Sequence, residues 1–338
     1  MDLIQRKQAF IQLGNSLQQR TEEEKAALYQ QAYQHNAWFT PESIERALEG
    51  IIRYLQPTQL EAWLSRYTLP EVKTPQKVGV VMAGNIPAVG FHDLLCVLIS
   101  GHTLLAKPSS QDQILISFLA KSLCEIAPAF SEYIHFPPLL KEAEVFIATG
   151  SDNTARYFEY YFRDKLHLIR KNRVGVGVMR GDETAEDYQA LAQDIFTYFG
   201  LGCRNIAKVF VPVGYDFIPF YDAIASFESV IQHHKYGNNY DYNKAIYLVK
   251  KLAHLDNGFL LVREEQALVS PVAVLFYETY LNQKDLAHKL ATQRDKLQCI
   301  VSKEGWYANS LPFGKVQQPE VWEYADQVDT LQFLSTLT

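Results

Sequence analysis

Val78-Gly79-Val80-Val81-Met82-Ala83 is a short apolar run, and Gly84-Asn85-Ile86-Pro87 ends it in a turn. Such a run, bounded by turn formers, reads as a strand buried on both faces inside a parallel sheet. Working outward, Ala88 to Ser100 is apolar nearly all round, which suggests a helix packed against a sheet, and Gly101 is placed to cap it in the left-handed conformation. Thr103-Leu104-Leu105-Ala106 reads as a second strand and ends at Lys107-Pro108-Ser109-Ser110. Gln113 to Ile126 has the spacing of an amphipathic helix. Glu144 to Thr149 is a third strand, Gly150-Ser151 closes it, and Asp152 to Phe162 is the next helix. Leu166 to Ile169 and Val174 to Met179 are further strands. Strands alternating with helices predict an α/β protein with an open, mostly parallel sheet, in which ligands bind beyond the carboxyl ends of the strands. Three polar clusters fall at those ends: Gly84-Asn85, Lys107 to Ser110, and Gly150-Ser151.

The flanking segments have a different texture. The first 68 residues read as helices: Thr21-Glu22-Glu23-Glu24 is a capping box, and Thr40-Pro41 opens another helix with proline at its first position. Gly14-Asn15-Ser16 and Gln56-Pro57 read as breaks, and Pro70 to Gln76 as a linker. Downstream, Thr184-Ala185-Glu186-Asp187 starts a helix whose apolar positions, Tyr188, Leu191, Ala192, Ile195, Phe196 and Phe199, share one face until Gly200 and Gly202 stop it. Cys203-Arg204 follows, and Ala207 to Val213 is a strand. Cys203 therefore sits on a glycine-flanked junction that lets a ligand approach the backbone, beside a cation that favours the thiolate. Cys96, Cys124 and Cys299 lie in apolar helix or strand patterns and read as ordinary core residues.

Composition narrows the function. The chain has 338 residues, about two domains at ~100–200 residues each. A net charge of −6 argues against a nucleic-acid partner. No apolar run approaches the ~18 residues of a membrane span, and the N-terminus lacks the pattern of a secretory signal. Four scattered cysteines without a CxxC pair form neither a disulfide framework nor a zinc pattern, so the expectation is a reduced, cytoplasmic protein without a metal. His233-His234 has no partner at helical spacing, and Arg170, Lys171 and Arg173 read first as a solvated charge run, second as a site for CoA phosphates.

Several pieces match one superfamily in order. Gly84-Asn85-Ile86-Pro87 resembles the W-N-F-P turn of aldehyde dehydrogenases, and Gly101 to Ser110 resembles their G-N-T-V-V-L-K-P-S-E segment. Thr149-Gly150-Ser151 resembles F-T-G-S, Gly200-Leu201-Gly202-Cys203 stands in place of G-Q-x-C, Val269 to Val272 resembles a worn F-G-P-V, and Leu311 to Gly314 the late P-F-G turn. Within that superfamily the chain resembles the acyl-CoA reductases related to LuxC, the fatty-acid reductase of bacterial bioluminescence. The motifs run from Val78 to the end, and the first 70 residues carry none.

The resemblance implies an aldehyde-dehydrogenase-like fold: two open Rossmann-like parallel-sheet domains with a helical N-terminal segment. The expected division is residues 1–173 for the helices and nucleotide-binding domain, 174–310 for the domain carrying Cys203, and 311–338 for a segment returning to the first domain or to a partner subunit of a homo-oligomer. It implies Cys203 as nucleophile, Asn85 as oxyanion donor, and a nicotinamide cofactor held by Lys107, Ser109, Ser110, Gly150 and Ser151. The departures refine this. The hydrolytic members carry a glutamate in E-L-G-G that activates water, whereas Leu166 to Met179 contains no Asp or Glu. A thioester on Cys203 would then accept hydride rather than be hydrolysed. Ser110 replaces the glutamate of K-P-S-E, which removes repulsion toward a 2′-phosphate and favours NADPH over NADH. Ala267 replaces the glutamate before F-G-P, leaving Glu264 or Glu265 as substitutes. The expected reaction is NADPH-dependent reduction of an acyl-CoA to an aldehyde, a fatty aldehyde in that family, with CoA as co-product. The alternatives are an acyl-phosphate reductase and a cofactor-independent cysteine acyltransferase or thioesterase.

Overall fold

The computed structural model describes residues 1–150, 152–171 and 173–337. The chain forms two units, Met1–Asn172 with Glu320–Thr338, and Arg173–Pro319.

The first unit begins with helices α1 (Leu3–Gln18), α2 (Glu22–His35), α3 (Pro41–Tyr54) and α4 (Pro57–Leu64). Capping residues explain where they start. Asp2, Thr21 and Thr40 each accept a backbone N–H three residues on, satisfying one of the orphan donors of the first turn. Gln56-Pro57 does separate two helices, but Gly14-Asn15-Ser16 does not: α1 runs through it. Gly14 is there for packing, since a Cβ would lie 2.9 Å from Leu55 Cβ. Strand β1 (Lys77–Val81) follows, then α5 (Phe91–Ser100), β2 (Thr103–Lys107), α6 (Gln113–Ile126), β3 (Ile134–His135), β4 (Val145–Gly150), α7 (Asp152–Phe162) and β5 (Leu166–Lys171). The strands form a parallel sheet in the order β3-β2-β1-β4-β5. Helix α5 is buried along its whole length except His92, as its all-round apolar sequence requires, and Gly101 caps it at φ 93°. The buried Arg6 of α1 donates to the Ile99 carbonyl at the same end. Phe10 of α1 packs edge-on against Phe91 and Phe130, so the N-terminal helices share one core with the sheet.

The second unit is a sheet in the order β12-β11-β6-β7-β10-β9-β8. Its elements are β6 (Val174–Val178), α8 (Ala185–Phe196), β7 (Ile206–Pro212), α9 (Ile218–Ala223), α10 (His234–Val249), β8 (Leu255–Asp256), β9 (Leu261–Glu264), β10 (Val274–Tyr280), α11 (Gln283–Ala291), β11 (Leu297–Ser302) and β12 (Leu311–Pro312). All neighbours are parallel except β8 and β9. Thr184 caps α8 through a capping box with Asp187. The helix ends at Phe196, one turn earlier than its apolar face suggests. Tyr198 and Phe199 adopt left-handed φ of 53° and 56° instead, followed by Gly200 at 78°.

The chain then returns to the first unit, where α12 (Thr330–Ser335) packs against α5. Tyr324 accepts from Trp63 Nε1 at 2.7 Å and pairs with the Tyr67 hydroxyl, which also donates to Asp329. His102 is buried with Nε2–H donating to the Leu334 carbonyl and Nδ1 accepting the Gln76 N–H, the neutral tautomer, and burial lowers its pKa accordingly. Arg170 is not part of a solvated run. It is 4% exposed and forms two hydrogen bonds with Asp93 of α5, at 2.8 and 2.9 Å, and a third with Thr330. Burial opposes its charge, and the Asp93 carboxylate more than restores it. No described helix is long and apolar enough to cross a membrane.

Candidate functional site

In the first unit the three polar clusters stand side by side. Strand β1 lies between β2 and β4, with Val81 level with Lys107 on one side and Ala148 on the other. The chain leaves these three neighbouring strands at one edge, the topological switch point where open α/β sheets bind ligands. Asn85, Lys107 and Ser110 are exposed there, and Ser109 and Gly150 are half-buried. Gly84 meets Ser109 so closely that a Cβ on it would lie 2.5 Å from the Ser109 Cβ, so only glycine lets the two turns touch. Gly150 ends β4 two residues before α7 begins at Asp152, and the start of a helix suits a phosphate. Ser151 lies outside the described residues.

Sequence reasoning missed the residues that brace this edge. His35, at the end of α2, donates Nε2–H to the Ser110 carbonyl at 2.5 Å, and the buried Asn36 reaches the Gln111 carbonyl at 3.4 Å. The N-terminal helices therefore hold the Lys107–Ser110 turn from behind. Asp112 sits behind both turns and is 1% exposed. Burial pushes its carboxyl up to about 8, and the amides of Ala88 and Val89 face it without closing hydrogen bonds of good geometry. Its only sequence signal is position: an acid at the boundary between a polar turn and an apolar helix.

The second unit carries Cys203. The residue is half-buried and lies just before β7, at the amino edge of its sheet rather than the carboxyl edge. Gly175 of β6 supports the loop: its N–H donates to the Asn205 carbonyl, and a Cβ would lie 2.8 Å from the Arg204 oxygen. Cys299 of β11 sits beside Gly175 and directs its thiol to the Arg204 carbonyl at 3.7 Å. Cys96 and Cys124, in the first unit, are pushed up by burial, as unreactive core thiols are. Asp194, at the end of α8, is fully buried. One carboxylate oxygen accepts the Gly314 N–H at 2.7 Å, the other has no partner among the described residues, and burial pushes the group up to about 7. Of the two glutamates that could replace the one missing at Ala267, Glu265 is paired with Arg263 at 3.1 Å, while Glu264 is exposed at the end of β9.

Residues 5–217 match the family model of the acyl-CoA reductase LuxC. The chain belongs to this acyl-CoA reductase family. The matched region begins inside α1, so the helical segment that carries no recognisable motif is part of it, and it extends past Cys203. Family membership makes the protein an oxidoreductase of the acyl-CoA reductase type, and its fold is one that aldehyde dehydrogenases share. Solved structures with the same fold include an aldehyde dehydrogenase from Bacillus cereus in complex with NAD+ (14% identity, 89% of this chain and 72% of that one, TM-score 0.62). Others are an indole-3-acetaldehyde dehydrogenase from P. syringae in complex with NAD+ and IAA (14%, 91% and 73%, 0.68) and an aldehyde dehydrogenase from Physcomitrella patens in complex with succinate (12%, 99% and 84%, 0.67). No curated protein sequence matches the chain.

Proposed function

We propose that the protein reduces an acyl-CoA thioester to an aldehyde with NADPH, through an acyl group carried on Cys203. The supporting observation is the family match over residues 5–217, a span that contains Asn85, Lys107 to Ser110, Gly150-Ser151 and Cys203 in order. The switch-point edge of the first unit suits a dinucleotide, and two of the solved relatives of this fold were determined with NAD+.

In this reading the Cys203 thiolate attacks the acyl carbonyl and expels CoA as the thiolate, leaving a thioester on Cys203. The Asn85 side-chain amide and the Cys203 N–H hold the developing oxyanion, and a donor so placed contributes roughly 3–4 kcal/mol to lowering the barrier. NADPH, when bound, supplies the hydride. The thiohemiacetal on Cys203 then collapses, releasing aldehyde and regenerating the thiol. Lys107 and Ser110 hold the adenosine end, with Lys107 as the point charge facing a 2′-phosphate. Gly150 and Ser151, at the start of a helix, are the residues assigned to the pyrophosphate. Leu166 to Met179 offers no carboxylate to activate water, so the acyl group persists on Cys203 until reduced.

The test follows NADPH absorbance with a panel of acyl-CoA thioesters for wild type and Cys203→Ala. Turnover in the first and none in the second is expected. CoA release that depends on Cys203 but consumes no NADPH would move the assignment to an acyltransferase or thioesterase. Turnover with acyl phosphates alone would move it to the acyl-phosphate branch of the superfamily.

A further inference from the structure

We propose that Asn205 is the positioning residue of the Cys203 loop: its buried side-chain amide sets where the thiol and the Cys203 N–H stand. The proposal rests on reading Cys203 as the nucleophile.

Asn205 is 2% exposed and uses all of its hydrogen-bonding groups. Its Oδ1 accepts the Gly202 N–H at 2.8 Å, one residue before Cys203. Its Nδ2 donates to the carbonyls of Asp194 (2.9 Å), Ile195 (3.3 Å) and Thr197 (2.7 Å). Those carbonyls belong to the end of α8, where a helix has acceptors but no intrahelical donors to fill them. One side chain thus caps the preceding helix and grips the loop that carries the cysteine. The Asn205 N–H also returns to the Gly202 carbonyl at 3.1 Å, closing the loop on itself.

Two further observations explain why such a grip is needed. Tyr198 and Phe199 sit at φ of 53° and 56°, a region unfavourable for bulky residues that persists only where the surroundings enforce it. Asn205 spans that turn, bonded on one side to Thr197 and on the other to Gly202. The end of a helix also carries partial negative charge, which disfavours a nearby thiolate. The Nδ2 donors of Asn205 fill the carbonyls that would otherwise present that charge to the loop. The same helix end holds the Gly314 N–H through the Asp194 carboxylate, so the Phe313-Gly314 turn is set on the same support.

The test uses the full chain with Asn205→Ala. Iodoacetamide labelling of the Cys203 peptide is read by mass spectrometry as a function of pH, beside steady-state kinetics. The expected result is a kcat lower by about 10²-fold with KM for NADPH within about twofold of wild type, as for a displaced reacting group. The labelling midpoint of Cys203 should move to higher pH. A folded Asn205→Ala chain with wild-type kcat and an unchanged labelling profile overturns the proposal. If this variant does not fold, amide exchange in wild type decides: strong protection at Gly202 supports the grip, and exchange as fast as an open loop refutes it. Should wild type oxidise no NADPH with any thioester, the functional reading fails, while labelling and exchange still decide the role of Asn205.

Discussion

Replacing Asp93 by asparagine removes one charge from the Arg170 pair and little else. Both side chains are almost out of solvent, at 4% and 7% exposure, and the pair is bidentate. The variant keeps the shape and one oxygen acceptor but takes from the buried guanidinium its hydrogen-bonded counter-ion. Breaking a buried pair in this way costs about 3–5 kcal/mol, a fifth or more of the ~5–15 kcal/mol that holds a typical domain together. Arg170 also bonds Thr330 of the returning C-terminal helix, so the loss should be felt where α12 meets α5. The double variant Asp93→Leu, Arg170→Met removes both charges together and should lie within about 1 kcal/mol of wild type or above it, because the desolvation cost of the pair disappears as well. Urea unfolding followed by tryptophan fluorescence suits the measurement, since Trp38, Trp63 and Trp322 belong to the first unit and only Trp306 to the second. A loss below about 1 kcal/mol in Asp93→Asn, or a double variant worse than either single one, would refute the assignment of Arg170 as a buried structural ion.

The remaining predictions concern the braces around the candidate site. Asp112 is held near 8 by burial, so the folded chain keeps a proton that the unfolded chain releases above about pH 4; its contribution to stability therefore falls as pH rises from about 4 to 8. Asp112→Asn should remove that slope and gain on the order of 5 kcal/mol over wild type at pH 8, and equal urea midpoints for the two chains from pH 5 to 8 would count against it. His102 acts in the opposite sense: its pKa is lowered in the folded state, so it supports stability above about 6.5 and withdraws it as pH falls, and His102→Gln should flatten the acid limb. Gly84→Ala forces the β1 and β2 turns apart and should weaken NADPH binding about tenfold by titration calorimetry with little change in melting temperature; unchanged affinity would mean that the contact with Ser109 does not shape the cofactor edge. Ser110→Glu should lower the ratio of kcat/KM for NADPH to that for NADH by about tenfold, and an unaltered ratio would place the 2′-phosphate elsewhere.

The central strands of the first sheet could be read from the chain because they are buried on both faces. A run such as Val78 to Ala83 has no solvent side to dilute its apolar character, and Gly84, Ser109 and Gly150 mark where it and its neighbours end. Caps were equally legible, since Thr21, Thr40 and Thr184 act on amides only three residues away. What escaped were features whose partners are distant in sequence. Gly14 looks like a helix breaker until Leu55 is seen against it. Arg170 looks solvated because its neighbours are Lys171 and Arg173, whereas its partner Asp93 is 77 residues away. Strands β3, β8 and β12 have two residues each, too short for any periodicity to reveal.

The site divides along the same line. Residues expected to touch substrate or cofactor are legible because chemistry restricts their type: a thiol, a carboxamide, a lysine beside serines, glycines before a helix. The residues that hold them in place are restricted only by what they must satisfy. Asn205 could be found by asking where the last carbonyls of α8 go once Phe196 ends the helix, for in a buried turn they must find donors. Gly175 follows from asking what lies under the Arg204 carbonyl, and His35 from asking what supports the one at Ser110. In each case the answer comes from another element, and the group it satisfies is a backbone atom that any residue would supply. Such supports leave no motif of their own, yet they decide whether a legible motif is held in a reactive geometry. That is why the experiments above remove a supporting bond as often as a reacting group.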